Sequence, residues 1–109
     1  MTVTVADSGS QTATISTEHT LSTPTSPGTY VLTVDAAALA AGDVVELRCY
    51  GKARSGDTER LLYRGTYGPA PLAAPLLQSL PIVTPHHARF TLKQTAGTGR
   101  AFPWAVYSL

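Results

Sequence analysis

The sequence predicts an all-β fold, arranged as a small antiparallel β-sandwich or barrel of jelly-roll type. Apolar and polar residues alternate over several short segments, and Gly, Pro, Ser and Asp residues cluster between them. Only one short run, 36–41, has helical character. The chain has 109 residues, a usual length for one domain, and contains no tandem repeat. We therefore expect about five to eight short strands around a single core.

Residues 1–27 are predicted to form an N-terminal arm or a pair of edge strands. They include 13 Ser or Thr residues and only two charged residues. Alternation over 2–5 and 12–15 favours two weakly buried strands, with a turn at 8–10 between them. A flexible polar tail is the alternative interpretation.

Residues 28–109 are predicted to form the single β domain. Alternation over 29–35 predicts a half-buried strand. The alanine-rich run 36–41 predicts one or two helical turns, because an Asp precedes it as an N-cap and a Gly closes it. Two more strands follow, 43–50 and 60–67, and we expect them to be joined by a charged hairpin that is exposed to water.

Residues 68–83 interrupt the strand pattern, since they carry four prolines and no charge. Proline removes backbone donors and stops a regular helix, so neither element is expected to run through this segment. Such an apolar connection is expected to cover either the chain's own core or a contact with another chain. The candidate interface residues are apolar residues of this segment and of the N-terminal arm: Leu72, Leu76, Leu77, Leu80, Ile82, Val3, Val5 and Ile15.

The last part of the domain returns to strands. Alternation over 88–93 and 102–106 predicts two strands joined by a glycine-containing loop at 95–99. Pro103 lies in the second of these strands. Because proline has no backbone N–H, we expect an edge strand or a bulge at that position.

Composition argues against several classes of protein. Eight Lys and Arg residues against seven Asp and Glu give a net charge of +1, which is too balanced for a general nucleic-acid binder. No apolar stretch approaches about 20 residues, so no membrane span is expected. Cys49 is the single cysteine, which excludes an internal disulfide and a cysteine-based zinc site. Its place on the apolar side of a predicted strand is typical of a core residue.

Local patterns that could carry chemistry have more ordinary interpretations. His86 and His87 are adjacent, so on a strand they point to opposite faces and are poorly placed to bind one metal ion. The run 97–100 lacks the Gly-Lys-Ser/Thr ending and the following helix of a phosphate loop, and favours a hairpin turn. No serine lies in a Gly-x-Ser-x-Gly context. We therefore expect no catalytic residues, no metal site and no cofactor, and hence no enzyme.

The basic residues are unevenly placed, since all eight lie between positions 48 and 100. Arg48, Arg64, Arg89 and Lys93 would share one sheet face if their strands are neighbours. The favoured interpretation is an ordinary solvated face interleaved with acidic residues. The alternative is a basic face that binds an acidic patch on a partner protein.

Two stretches of the domain resemble small proteins from the structural gene clusters of tailed bacteriophages. The first is GTYVLTVD at 28–35, followed by Leu39 and by GDVVELR at 42–48. The second is TLKQTAGTGRAFPW at 91–104. The resemblance extends over about residues 28–108 and does not include the N-terminal arm.

The resemblance implies a non-enzymatic virion protein, namely a capsid cement or decoration protein that stabilises the phage head. Its expected partners are the major capsid protein or other virion proteins, and copies of itself, for instance in a trimer around a threefold axis. Its expected place is the capsid surface, after synthesis in the cytoplasm of the host bacterium. Neither nucleic acid nor a membrane is expected as a partner.

A head-fibre or tail-fibre module that binds a host receptor or glycan is the alternative. Such a module would gather aromatic side chains on an exposed platform. The residues expected there are Tyr50, Tyr63, Tyr67, Trp104 and Tyr107.

Overall fold

The computed structural model describes residues 2–109, which form nine β-strands and no helix. All pairings between these strands are antiparallel, which confirms the all-β prediction. The strands are β1 (Thr4–Thr12), β2 (Glu18–Ser22), β3 (Gly28–Asp35), β4 (Val44–Gly51), β5 (Arg60–Tyr67), β6 (Leu76–Gln78), β7 (Ile82–Thr84), β8 (Ala88–Ala96) and β9 (Ala101–Ser108).

The strands form two sheets that pack face to face. Sheet A has the order β1-β9-β3, with β6 and β7 pairing with opposite ends of β3; sheet B has the order β2-β8-β4-β5. Every connection crosses between the sheets except those from β4 to β5 and from β6 to β7. If β6 and β7 are counted as one interrupted strand, this is the order of an eight-stranded jelly roll. The predicted fold class is therefore confirmed.

The core between the sheets comes from the alternating positions that the sequence pattern marks. On β3, β4 and β8 every second side chain points inward, because successive residues of a strand face opposite sides. Each fully buried Leu, Val or Phe contributes about 1.5–3 kcal/mol relative to an exposed one. The main core residues are Tyr30, Leu32, Val34, Val45, Leu47, Cys49, Phe90, Leu92, Phe102 and Val106.

The run 36–41 is a turn and not the predicted helical segment. The Ala37 N–H donates to Asp35 Oδ1 at 3.0 Å, as a cap would, but only one helix-like bond follows, from the Leu39 N–H to the Ala36 carbonyl at 3.1 Å. Six residues are too few to nucleate a stable helix. In addition, the Ala36 N–H is held by the Pro75 carbonyl at 2.8 Å, which ties the segment to the edge of sheet A.

The N-terminal residues also differ from the prediction. Residues 8–10 lie inside the continuous strand β1 and form no turn, because β1 pairs with β9 up to Thr12. The turn follows at 13–17, where a second strand was expected, and it includes Ser16 at φ 66°. Tertiary pairing with a long, apolar strand overrides the local turn preference of Ser and Gly.

Pro103 does not mark an edge strand or a bulge, so that prediction is wrong. β9 is an interior strand between β1 and β3. Pairing with β3 ends at Trp104, however, so Pro103 lies just beyond it and is paired only with Ser10 of β1. A proline is tolerated there because the strand has a neighbour on one side only.

The proline-rich segment supplies the short strands β6 and β7 and closes sheet A. Leu77 and Ile82 are buried in the core, whereas Leu76 and Leu80 are exposed. Between the two strands Ser79 takes over their pairing with β3. Its Oγ accepts the Leu32 N–H at 3.0 Å, and its own N–H donates to the Leu32 carbonyl at 2.9 Å. Both backbone groups of a fully buried residue are thereby satisfied.

Candidate functional site

The loop at 97–100 binds the side chain of Asp43, a residue of the same chain. The buried carboxylate of Asp43 accepts the Ala40 N–H at 2.9 Å, the Thr98 N–H at 3.2 Å and Arg100 Nε at 2.8 Å. These bonds, the Ala40 bond foremost, lower the pKa of Asp43. The Thr98 N–H, which a phosphate loop would offer to a bound phosphate, therefore already donates to Asp43 inside the domain.

Gly97 is required for this arrangement. Its φ of +92° is strained for any other residue, and a Cβ there would overlap the Asp43 carboxylate. Gln94, which is fully buried, holds the other side of the loop: its Nε2 donates to the Thr98 carbonyl at 2.7 Å and its Oε1 accepts the Arg100 N–H at 3.0 Å. The distinctive string at 91–104 thus forms the connection from β8 in sheet B to β9 in sheet A, so the hairpin turn expected at 97–100 is wrong.

The adjacent histidines are placed by a tight turn between β7 and β8. Thr84 Oγ1 accepts the N–H groups of His86 and His87, and donates to the His87 carbonyl. His87 Nε2 lies 2.7 Å from Glu59 Oε2, a carboxylate that also accepts Arg89. Within residues 2–109 no three His, Cys, Asp or Glu side chains come together as a metal site would require.

Cys49 lies in the middle of the core and is fully buried. Burial raises the pKa of its thiol to about 12. A thiol with such a pKa is protonated at neutral pH and poorly nucleophilic, in keeping with the packing role predicted from the sequence.

The outer face of sheet B carries a mixed set of basic and acidic side chains. On this face Arg48 of β4 pairs with Arg64 of β5. Two residues away on β4 in either direction, Glu46 pairs with Lys93 and Tyr50 pairs with Arg89. The four basic side chains therefore share one face. Acidic residues lie between them, as the favoured interpretation expects. They are Glu18, Glu46 and Glu59.

Glu18 is the centre of this face. It accepts the hydroxyls of Tyr50 and Thr91, both at 2.6 Å, and Arg48 lies 3.4 Å from it. Burial alone raises the pKa of Glu18, but these hydrogen bonds and the Arg48 and Arg89 charges outweigh it and bring the pKa below its usual value. Since β2 is an edge strand, the Glu18 cluster joins that edge to β8 and β4.

Arg89 continues the same face toward β5. Its guanidinium lies 4.4 Å above the ring of Tyr50 and 2.9 Å from Glu59. The Glu59 bond is the main reason that the pKa of Arg89 is raised. The basic side chains at the centre of this face are therefore paired within the domain and leave little unbalanced charge for a partner.

The outer face of sheet A is very different, since its interior strands present one charged residue only. The outward positions of the two interior strands are Val31, Thr33 and Asp35 of β3, and Pro103, Ala105 and Tyr107 of β9. Leu76 and Val83, on the short strands beside β3, are 64% and 76% exposed. A shallow groove of about 210 Å³ runs between Leu76, Pro103 and Tyr107.

Comparison with protein-family models, with characterised proteins and with solved structures gave no match. Among residues 2–109 there is also no apolar helix of membrane-spanning length. The surfaces open to a partner are the two outer faces and the edges of the sheets.

The candidate interface residues fall into three groups. Leu77 and Ile82 are buried in the chain's own core, and Leu72 and Ile15 are half-buried. Those that remain exposed are Leu76, Leu80, Val3 and Val5.

The five aromatic residues of the alternative function do not form a common platform. Tyr63, Tyr67 and Trp104 pack against the core, Tyr50 belongs to the Glu18 cluster, and Tyr107 lies on the outer face of sheet A. They are therefore divided among separate surfaces.

Sequence reasoning did not find the contrast between the two outer faces. Its signal is present in the non-core positions of each strand: Thr, Ala, Val and Pro on β3 and β9, but Glu, Arg and Lys on β4 and β8. These residue types predict the charge of an outer face only when the strands that share a sheet are known, because a face is built from several strands.

Proposed function

We propose that this chain is a non-enzymatic structural protein of a phage virion, a decoration protein that binds assembled capsid subunits through the outer face of sheet A. The observation that carries the proposal is the near absence of charge on that face, together with the exposed side chains of Leu76 and Val83. The resemblance of residues 28–108 to small phage virion proteins supports the same conclusion.

The chemistry of this face suits contact with protein. Charged residues are depleted from the centres of protein interfaces, because desolvating them is costly. Val31 and Thr33 are buried within the domain, so the exposed apolar surface of this face comes from Leu76 and Val83 on the short strands beside them. The opposite face, with its ion pairs and exposed cations, suits contact with water.

The action of such a protein requires no catalytic step. A chain that binds the assembled lattice but not free capsid subunits stabilises the lattice by mass action, in proportion to the logarithm of its free concentration over its dissociation constant. This role needs binding alone and no catalytic group such as a nucleophile or a general base.

The test compares virions made with and without the gene for this chain. We expect particles that lack it to release DNA at a lower temperature or a milder osmotic shock, and purified chain to restore resistance when it is added back. The wild-type particle should contain hundreds of copies, as a decorated shell requires. Equal heat and osmotic resistance of the two particles would contradict the proposal.

Two variants assign the contact to a face. Leu76→Glu places a charge on the outer face of sheet A, and we expect it to bind particles at least about tenfold more weakly. Thr20→Glu places the same charge on the outer face of sheet B, beside Arg89, and is the matched control. Both sites are exposed, and a glutamate at position 20 keeps an oxygen that can accept Arg89, so we expect both variants to remain folded, which their unfolding temperatures check. If Leu76→Glu restores particles as well as the wild type, the assignment to sheet A is wrong.

A further inference from the structure

The sandwich has two long free strand edges on opposite sides. β1 ends sheet A and β5 ends sheet B, and each has a neighbour on one side only. β1 contacts β2 across the two sheets, so these two edges lie together. On the other side, Leu62 of β5 and Val83 of β7 line the same depression. A free edge offers unpaired backbone donors and acceptors to another strand.

Four of the eight large exposed apolar side chains of residues 2–109 lie at the same two edges. Val3 and Val5, which come just before the regular part of β1, are 58% and 61% exposed. Leu61 and Leu62 are 49% and 58% exposed on β5. Large exposed apolar residues at a strand edge are a known route to strand addition, which natural proteins otherwise prevent with charges, prolines or covering loops.

The two edges also carry opposite charge. Asp7 is the charged residue of β1, and it makes no salt bridge within residues 2–109. β5 carries Arg60 and Arg64 and no acid, and neither arginine makes a salt bridge in the described part of the chain. An edge pairing with its own equivalent would bring like charges together, whereas β1 with β5 brings opposite charges together.

We propose that residues 7–12 of β1 in one copy add as a strand to the free edge of β5 in a second copy. The bulge between Val5 and Asp7 leaves this part of β1 regular. The contact is heterologous: each copy pairs its β1 with the β5 of one neighbour and its β5 with the β1 of another. Repetition of this contact gives a ring or an open array. The inference deepens the proposed function and rests on it for its purpose, since it supplies the contacts between copies of a decoration protein.

The test is a charge exchange in purified protein without capsids, followed by light scattering and sedimentation at low ionic strength. We expect Asp7→Lys and Arg64→Glu each to weaken self-association about tenfold or more, because each places like charges at every contact. An equimolar mixture of the two variants should recover wild-type association, since alternating copies restore an opposite pair at every contact. Recovery also shows that both variants are folded.

Asp35→Lys is the matched control. Asp35, like Asp7, makes no salt bridge among residues 2–109 and accepts one nearby backbone N–H, but it lies at the end of an interior strand. We expect it to associate as the wild type does. A wild-type chain that stays monomeric at millimolar concentration overturns the inference, and so does a mixture that fails to recover. Because no capsid is present, any of these results leaves the heat-resistance test of the proposed function independent.

Discussion

At the scale of single residues, the loop that connects β8 to β9 depends on a glycine packed against a buried carboxylate. Asp43, on the loop before β4, accepts hydrogen bonds from Ala40, Thr98 and Arg100, and joins two loops that are distant in sequence. Gly97 makes room for that carboxylate and has a φ of +92°. An L-residue in this conformation is strained, and a side chain would displace Asp43 from its donors.

Gly97→Ala should therefore lower the free energy of unfolding by about 2–4 kcal/mol, measured by urea denaturation. Gly56→Ala is the matched control. Gly56 has no positive φ and no atom within 4 Å of the position of its Cβ, so its substitution should change stability by less than about 0.5 kcal/mol. Equal effects of the two substitutions would show that the Asp43 contact contributes nothing.

At the scale of an element, β2 is held to sheet B by side chains as much as by its backbone. It has five residues and pairs with β8 alone. Glu18 accepts the hydroxyls of Tyr50 and Thr91, and Thr20 accepts Arg89 at 2.9 Å. Thr91 is fully buried beneath this cluster, so its hydroxyl has no access to water if Glu18 is lost.

Glu18→Gln should destabilise the domain by about 1–2 kcal/mol at neutral pH, because charge-assisted hydrogen bonds are replaced by neutral ones. The pKa of Glu18 is lower in the folded chain than its ordinary value of 4.5. Its contribution is therefore complete above about pH 5 and is lost as the pH falls through 4.5 toward the folded pKa. Urea denaturation at about pH 7 and about pH 3 should show the difference between wild type and variant shrinking in acid.

Asp7→Asn is the control for that series. Asp7 lies on the other edge strand, is exposed and makes no salt bridge among residues 2–109, so its loss should leave the unfolding free energy nearly unchanged. A difference between wild type and Glu18→Gln that stays constant down to about pH 3 would contradict the role given to the carboxylate.

At the scale of the whole molecule, the two sheets do not cover each other evenly. The domain measures 40 × 31 × 19 Å, and the core lies between β3 and β9 on one side and β4 and β8 on the other. The strand β1 lies at the margin of this sandwich, and nearly all of its residues are exposed. Strands with little buried apolar surface open at lower free energy than core strands.

Hydrogen exchange of the monomer should follow this order. We expect the slowest amides in β4 and β8, which are paired on both sides, and the fastest strand amides in β1. The measurement should be made at a concentration where light scattering shows a monomer, since a second copy on β1 would protect it. Amides in β1 as slow as those in β8 under these conditions would contradict the marginal position of the strand.

Strands with a clean alternation were predicted within one or two residues of their observed bounds. The predicted strands 29–35, 43–50 and 60–67 correspond to β3, β4 and β5. The agreement is close because the alternation of apolar and polar residues is a local property of each strand. The same argument placed Cys49 in the core. It failed for 8–10, for 36–41 and at Pro103, where pairing with a distant strand decides the conformation.

The sequence by itself determined the fold class, the inward-facing residues and the low charge of the chain. The alternation of apolar and polar residues and the composition can be interpreted without knowing which strands are neighbours. Only the tertiary structure decided which residues share an outer face. It places charged strands together in sheet B and uncharged ones in sheet A, leaves β1 and β5 as opposite free edges, and seats Asp43 in the glycine loop. These features depend on contacts between residues far apart in the chain, which no local pattern encodes.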